Sequence, residues 1–106
     1  GLGAQLRLQE AGGGLRAAGE SVTLSCRGSG FTFRNYAVFW YRQVPGGRLE
    51  RISFISSPEG SIEDYGAAVK RRAKISRDNS QSKAYLSLRS LQPQDSARYF
   101  CAVSQG

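Results

Sequence analysis

Two cysteines, Cys26 and Cys101, stand apart by most of a 106-residue chain. Any fold must either join them or bury each one singly. An even count at wide spacing is the pattern of one structural disulfide made in an oxidising compartment. Closing so long a loop stabilises a fold by about 4 kcal/mol on the chain-entropy account. The alternative is a pair of buried free thiols in a reducing compartment. The length suits one domain with one modest core and leaves no room for a second.

Hydrophobic periodicity points to strands. In Ser21-Val22-Thr23-Leu24-Ser25-Cys26 apolar and polar residues alternate, which sets Val22, Leu24 and Cys26 on one face. Lys83 to Leu88 repeats the pattern with Ala84, Leu86 and Leu88 inward, and Lys74-Ile75-Ser76 and Tyr99-Phe100-Cys101 are shorter candidates. Turn signals separate them: Gly12-Gly13-Gly14, Gly28-Ser29-Gly30, Pro45-Gly46-Gly47, Ser57-Pro58-Glu59-Gly60 and Arg77-Asp78-Asn79-Ser80. No helical period is sustained, although Gln92-Pro93-Gln94-Asp95 suits a single turn with proline at its start. Short strands with turns at about ten-residue spacing predict an all-β sandwich.

Trp40 follows Cys26 by fourteen residues, and Tyr99 precedes Cys101 by two. This Cys–Trp–Cys framework with its tyrosine resembles the immunoglobulin fold. Over almost the whole chain the likeness is to heavy-chain variable domains. The stretches that carry it are Leu8-Gln9-Glu10, Gly12-Gly13-Gly14-Leu15, Leu24-Ser25-Cys26, Gly30-Phe31-Thr32-Phe33, Trp40 to Gly46, and Ile75 to Ser80. The resemblance implies one variable domain over residues 1–106, a V-type two-sheet sandwich of Greek-key topology with one inter-sheet disulfide under Trp40. It implies that Arg72 and Asp95 form a partly buried ion pair closing one end. Removing either partner would then cost several kcal/mol, because the other charge stays unpaired. It further implies three ligand-binding loops at the other end: Phe31 to Val38, Ile55 to Asp64, and the tail from Ala102. Phe31 and Phe33 are expected to pack against the framework. Arg34, Asn35, Tyr36, Pro58, Glu59 and Ser61 are expected to face solvent, with Ser57, Val103, Ser104 and Gln105 completing the contact set. Aromatic and arginine residues are the types that anchor such surfaces.

Four departures from the family pattern qualify the likeness. On the face that receives a light chain, the pattern has a small aliphatic residue, glycine, leucine and tryptophan; here stand Tyr41, Arg48, Leu49 and Arg51. Burying unpaired guanidinium groups is costly, so the expectation is a single-domain form with that face solvated and no conventional light chain. The approach to Cys101, Gln94 to Ser104, resembles T-cell receptor α or δ variable domains more than antibodies, which leaves an unconventional T-cell receptor chain open. The sequence stops five residues after Cys101, where the family continues into a joining segment. The final strand is therefore expected to be missing here, by omission or because a partner supplies it. Last, Ala73 stands where the family has a bulky aromatic, and Lys74 follows it in place of a small polar residue.

The formal net charge is +7, and twelve of the fifteen basic residues are arginine. They are dispersed, with Lys70-Arg71-Arg72 the one short run, and no nucleic-acid-reading motif accompanies them. Most are expected to be solvated, and no nucleic acid is expected as a partner. Histidine is absent, which removes the commonest general base and metal ligand. Glu63-Asp64, the one close carboxylate pair, is expected in a loop with no acid–base partner. Neither a phosphate-binding glycine motif nor an Asn-x-Ser/Thr acceptor occurs. The reading is a binding domain and no enzyme, without catalytic residues, cofactor or metal. It is extracellular, secreted or on a cell-surface ectodomain, with any membrane anchor outside this chain. The expected partners are an antigen of protein class and other domains of the same receptor. Two other readings remain: a structural immunoglobulin-like subunit that completes a partner receptor chain, and a basic domain that binds polyanions.

Overall fold

In the computed structural model, which describes residues 6–13 and 17–105, the chain forms eight strands in two antiparallel sheets. Gly14, Leu15 and Arg16, part of the glycine-rich match, lie outside the described residues, as do residues 1–5 and Gly106. The strands are β1 (Arg7–Gly12), β2 (Val22–Ser29), β3 (Tyr36–Gln43), β4 (Leu49–Ile55), β5 (Glu63–Tyr65), β6 (Ala73–Asp78), β7 (Lys83–Leu88) and β8 (Arg98–Gln105). One sheet has the order β1-β2-β7-β6 and the other β5-β4-β3-β8. The chain changes sheet after β2, β5 and β7, which is the Greek-key arrangement of a sandwich.

The alternating segments fold as their pattern requires. Cys26, Ala84 and Leu86 are fully buried and Leu24 and Leu88 nearly so, while Val22 at the start of β2 is half-buried. A disulfide joins Cys26 of β2 to Cys101 of β8 across the two sheets, with Cα atoms 6.3 Å apart. Trp40 lies beside Cys101 in the β3–β8 ladder and is fully buried, within a core that includes Val38, Ile52, Val69, Ile75 and Leu86. Around this core the described residues carry three single-turn 3-10 helices and no α-helix.

Several expected turns fall inside strands. Gly28 and Ser29 end β2, and Arg77 and Asp78 end β6, with the turn displaced to the 3-10 helix Asn79–Gln81. Gly28 belongs in a strand because a Cβ there would come within 2.7 Å of the Phe31 ring and 2.8 Å of the Phe33 ring. Glycine lets those rings lie on the backbone. Glu63 and Asp64 also lie on a strand, not in a loop. Backbone pairing of β5 with β4 accounts for this, Asp64 standing opposite Phe54 and Glu63 opposite Ile55. Along β8 the ladder to β3 runs through Gln105, opposite Tyr36. Among the described residues no strand pairs with the other edge of β8. On that edge the Glu10 carboxylate of β1 accepts the Cys101 N–H at 3.3 Å.

Candidate functional site

Two ends of the sandwich hold polar clusters, and a third polar region covers the outer face of the β5-β4-β3-β8 sheet. At one end Asp95 closes the 3-10 helix Pro93–Asp95, the single turn that the proline indicated. Its carboxylate is buried and accepts from Arg72 twice, at 2.6 and 3.0 Å, and from the Gln92 N–H at 2.9 Å. Arg42 of β3 adds a further bond at 2.9 Å. Arg42 is itself 5% exposed, reaches Glu50 at 3.4 Å, and donates to the Tyr99 hydroxyl at 3.3 Å. The Tyr99 hydroxyl in turn donates to the Asp95 carbonyl at 2.7 Å. Burial pushes the Asp95 carboxyl up, but the hydrogen bonds from Arg72, the Gln92 amide and Arg42 outweigh it and hold it at about 2. Sequence reading paired Arg72 with Asp95 and missed Arg42. An arginine between aromatic residues gives no sign of burial until residues far along the chain fold against it.

At the opposite end Arg77 ties two loops together. Its guanidinium donates to the Phe33 carbonyl at 3.0 Å, the Ser56 carbonyl at 2.8 Å and the Asn79 side chain at 2.8 Å. It also stands over the Phe33 ring, 4.9 Å from its centroid. The Asn79 amide continues the chain of bonds to the Pro58 carbonyl at 2.5 Å. Arg77 has no carboxylate within ion-pair distance among the described residues, and burial lowers its pKa. Carbonyl dipoles and an aromatic face thus take the place of a counter-ion.

These bonds bring the first two expected loops side by side. Phe33 is buried and Phe31 half-buried, so both pack against the framework. Arg34, Asn35, Glu59 and Ser61 are exposed. Three segments differ from expectation. Tyr36 begins β3 and is half-buried, its ring edge-on to Phe31 at 4.9 Å. Pro58 and Ser57 are half-buried beneath the Asn79 contact, joined by a cis peptide bond. Val103, Ser104 and Gln105 lie on strand β8, not in a loop, because their backbone pairs with Val38, Ala37 and Tyr36. Ser104 and Gln105 are exposed at the strand end, whereas Val103 packs on the core. Ile62, 62% exposed in the second loop, was not singled out from sequence; its one signal is an isolated apolar residue after a turn rich in glycine and serine.

On the second sheet Leu49 and Arg51 of β4 and Arg48 just before it are exposed, and Tyr41 is half-buried. Among the described residues Arg51 has one ion-pair partner, Asp64, loosely, at 3.7 Å. Tyr41 shares the outer face of that sheet with Phe39 and Phe54, whose rings lie 5.0 Å apart, and with Phe100, over which Arg98 stands. The face therefore has an aromatic centre with arginines around it, less fully solvated than the substitutions alone suggest. Glu63 and Asp64, adjacent on β5, engage different partners. Glu63 accepts from Lys74 at 2.8 and 3.0 Å, which lowers its pKa, and Asp64 faces Arg51. Among the described residues no group of three or more His, Cys, Asp or Glu is placed to hold a metal ion. Residues 15–106 match the family model described as the immunoglobulin V-set domain.

Proposed function

The chain belongs to the immunoglobulin V-set family, and from that premise we propose that it is one variable domain, of heavy-chain type, that recognises an antigen of protein class without a light chain. The observation that carries the reading is the clamp of Arg77 on the Phe33 and Ser56 carbonyls. It sets the first two loops next to each other, and the β3–β8 ladder brings Ser104 and Gln105 to the same end. The exposed set is then Arg34, Asn35, Glu59, Ser61, Ser104 and Gln105, on a base of packed aromatic rings. A rigid base with adaptable polar residues above it is the composition of a recognition surface. Absence of a light chain is supported by Arg48 and Arg51, whose charges would lose hydration in a domain interface with, among the described residues, one distant carboxylate to meet them. The extracellular side of a cell, in a secreted or surface-bound antigen receptor of antibody or T-cell receptor type, is the setting that suits the disulfide.

Randomising Arg34, Asn35, Glu59 and Ser61 in a displayed library tests the loop reading. The expected result is binders to unrelated protein targets, with melting temperatures close to the parent. Loss of folding on randomisation would overturn it, as would binding that persists when these four positions are restored.

A further inference from the structure

An open cleft borders Ala73. It has a volume of about 340 Å³ and lies at the end of the first sheet remote from the Arg77 clamp. Ala73, Val22 and Leu88, the core-facing row at this end of the sheet, border it on its apolar side. Its remaining wall is polar and cationic: Arg71, Arg72, Lys74 and Arg89 line it together with three hydroxyl residues, Ser21, Thr23 and Ser87. Among the described residues no carboxylate lines it. Arg72 is committed to Asp95, and Lys74 to Glu63. Arg71 and Arg89 have no carboxylate partner among the described residues. They are nevertheless held together, because Arg89 Nη2 donates to the Arg71 carbonyl at 2.7 Å. The Arg89 guanidinium is thus held against the Arg71 backbone, both arginines line the cleft, and a guanidinium without a counter-ion suits an oxyanion.

The cleft opens onto a face of the same chemistry. Strand register sets Lys74, Ser87 and Thr23 in one row, then Ser76, Tyr85 and Ser25, then Asp78, Lys83 and Arg27, with the Asp78 carboxylate taken up by the Ser80 N–H and hydroxyl. A second concavity, of about 470 Å³, adjoins that last row and is lined by Arg27 and Lys83 with Ser80, Gln81 and Ser82. From Thr23 to Arg27 the strand advances roughly 14 Å, farther than one sulfate or phosphate reaches. A chain bearing repeated anions spans it.

We propose that this face, from the Arg71–Arg89 cleft to the Arg27–Lys83 concavity, binds a sulfated polysaccharide. Rows of serine and threonine hydroxyls match the hydroxyls of sugar rings, and the cations at each end match its sulfates. Single-stranded nucleic acid requires a succession of rings for stacking, and Tyr85 is the one aromatic residue in these rows. The site is separate from the loop end and does not rest on the recognition reading.

The test is the affinity of the intact domain for a size-defined heparin oligosaccharide across a salt series, with folding followed by thermal melting. Measurable binding at low salt that weakens steeply with added salt is expected. R71S/R89S is expected to weaken binding at least tenfold and to flatten the salt slope, with R27S/K83S acting in the same direction. R48S/R51S removes equal charge from the other sheet and should leave affinity within about twofold. R71K/R89K, which keeps charge but not the bidentate fork, is expected to fall between parent and R71S/R89S. Equal losses from R71S/R89S and R48S/R51S would overturn the proposal in favour of net charge alone. Inorganic sulfate competing as well as the oligosaccharide would reduce it to a single-ion site, single-stranded DNA of equal charge binding as tightly would contradict the choice of ligand, and no binding at low salt would end it.

Discussion

Asp95 is the buried carboxylate on which one end of the domain is tied together. Three donors converge on a buried carboxylate whose folded-state pKa is about 2, against about 3.9 in an unfolded chain. A depressed carboxylate contributes stability that is present above its unfolded pKa and is lost as pH falls toward the folded value. The window is therefore pH 4 to 2, and the contribution is on the order of 2–3 kcal/mol. Asp95→Asn should destabilise the domain at neutral pH and flatten the stability curve between pH 4 and 2, as read from urea midpoints at each pH. A mutant curve parallel to that of the parent would place the acid response elsewhere. Arg77 is the corresponding residue at the loop end. Arg77→Met keeps much of the side chain's length but leaves the Phe33 and Ser56 carbonyls without their donor, at a cost of about 1–3 kcal/mol. The two loops should then exchange amide hydrogens faster while the core strands keep their protection.

At the scale of elements, legibility followed exposure. β2 and β7 bury one side and alternate cleanly, so their inward residues could be named from sequence. β3 reads Tyr36-Ala37-Val38-Phe39-Trp40-Tyr41, with no alternation, because aromatic rings also cover its outer face. In β4 the register shifts opposite Trp40/Tyr41, so Ile52 and Ser53 are both buried and the period of two is broken. The candidate site was legible in composition but not in its limits. Arg34, Asn35, Glu59 and Ser61 are exposed, as expected of them. Tyr36 and Val103 to Gln105 lie on strands instead of loops, because where a loop gives way to a strand depends on a ladder between segments far apart in the chain. β8 also shows how an open edge is kept from leaving every backbone donor unmet: Glu10 takes the Cys101 N–H. Glu10→Ala removes that acceptor and should destabilise the domain by about 1 kcal/mol, with faster exchange at the Cys101 amide than at the amides of β3. Unchanged exchange at Cys101 would mean that the contact carries no protection.

For the whole molecule, the two sheets divide the work. The first carries hydroxyls and cations on its outer face, with the Ala73 cleft at one end. The second carries an aromatic centre with Arg48, Arg51 and Arg98 around it, and its partnership decides whether the domain acts alone. An aromatic patch favours contact, whereas exposed guanidinium groups lose hydration when a neutral partner covers them. A second copy would set arginine against arginine, so self-association on this face is opposed as well. Sedimentation velocity of the domain mixed with an equimolar conventional light-chain variable domain, at micromolar concentration, measures the balance directly. Two independently sedimenting monomers are the predicted result; a stable one-to-one heterodimer would contradict the account.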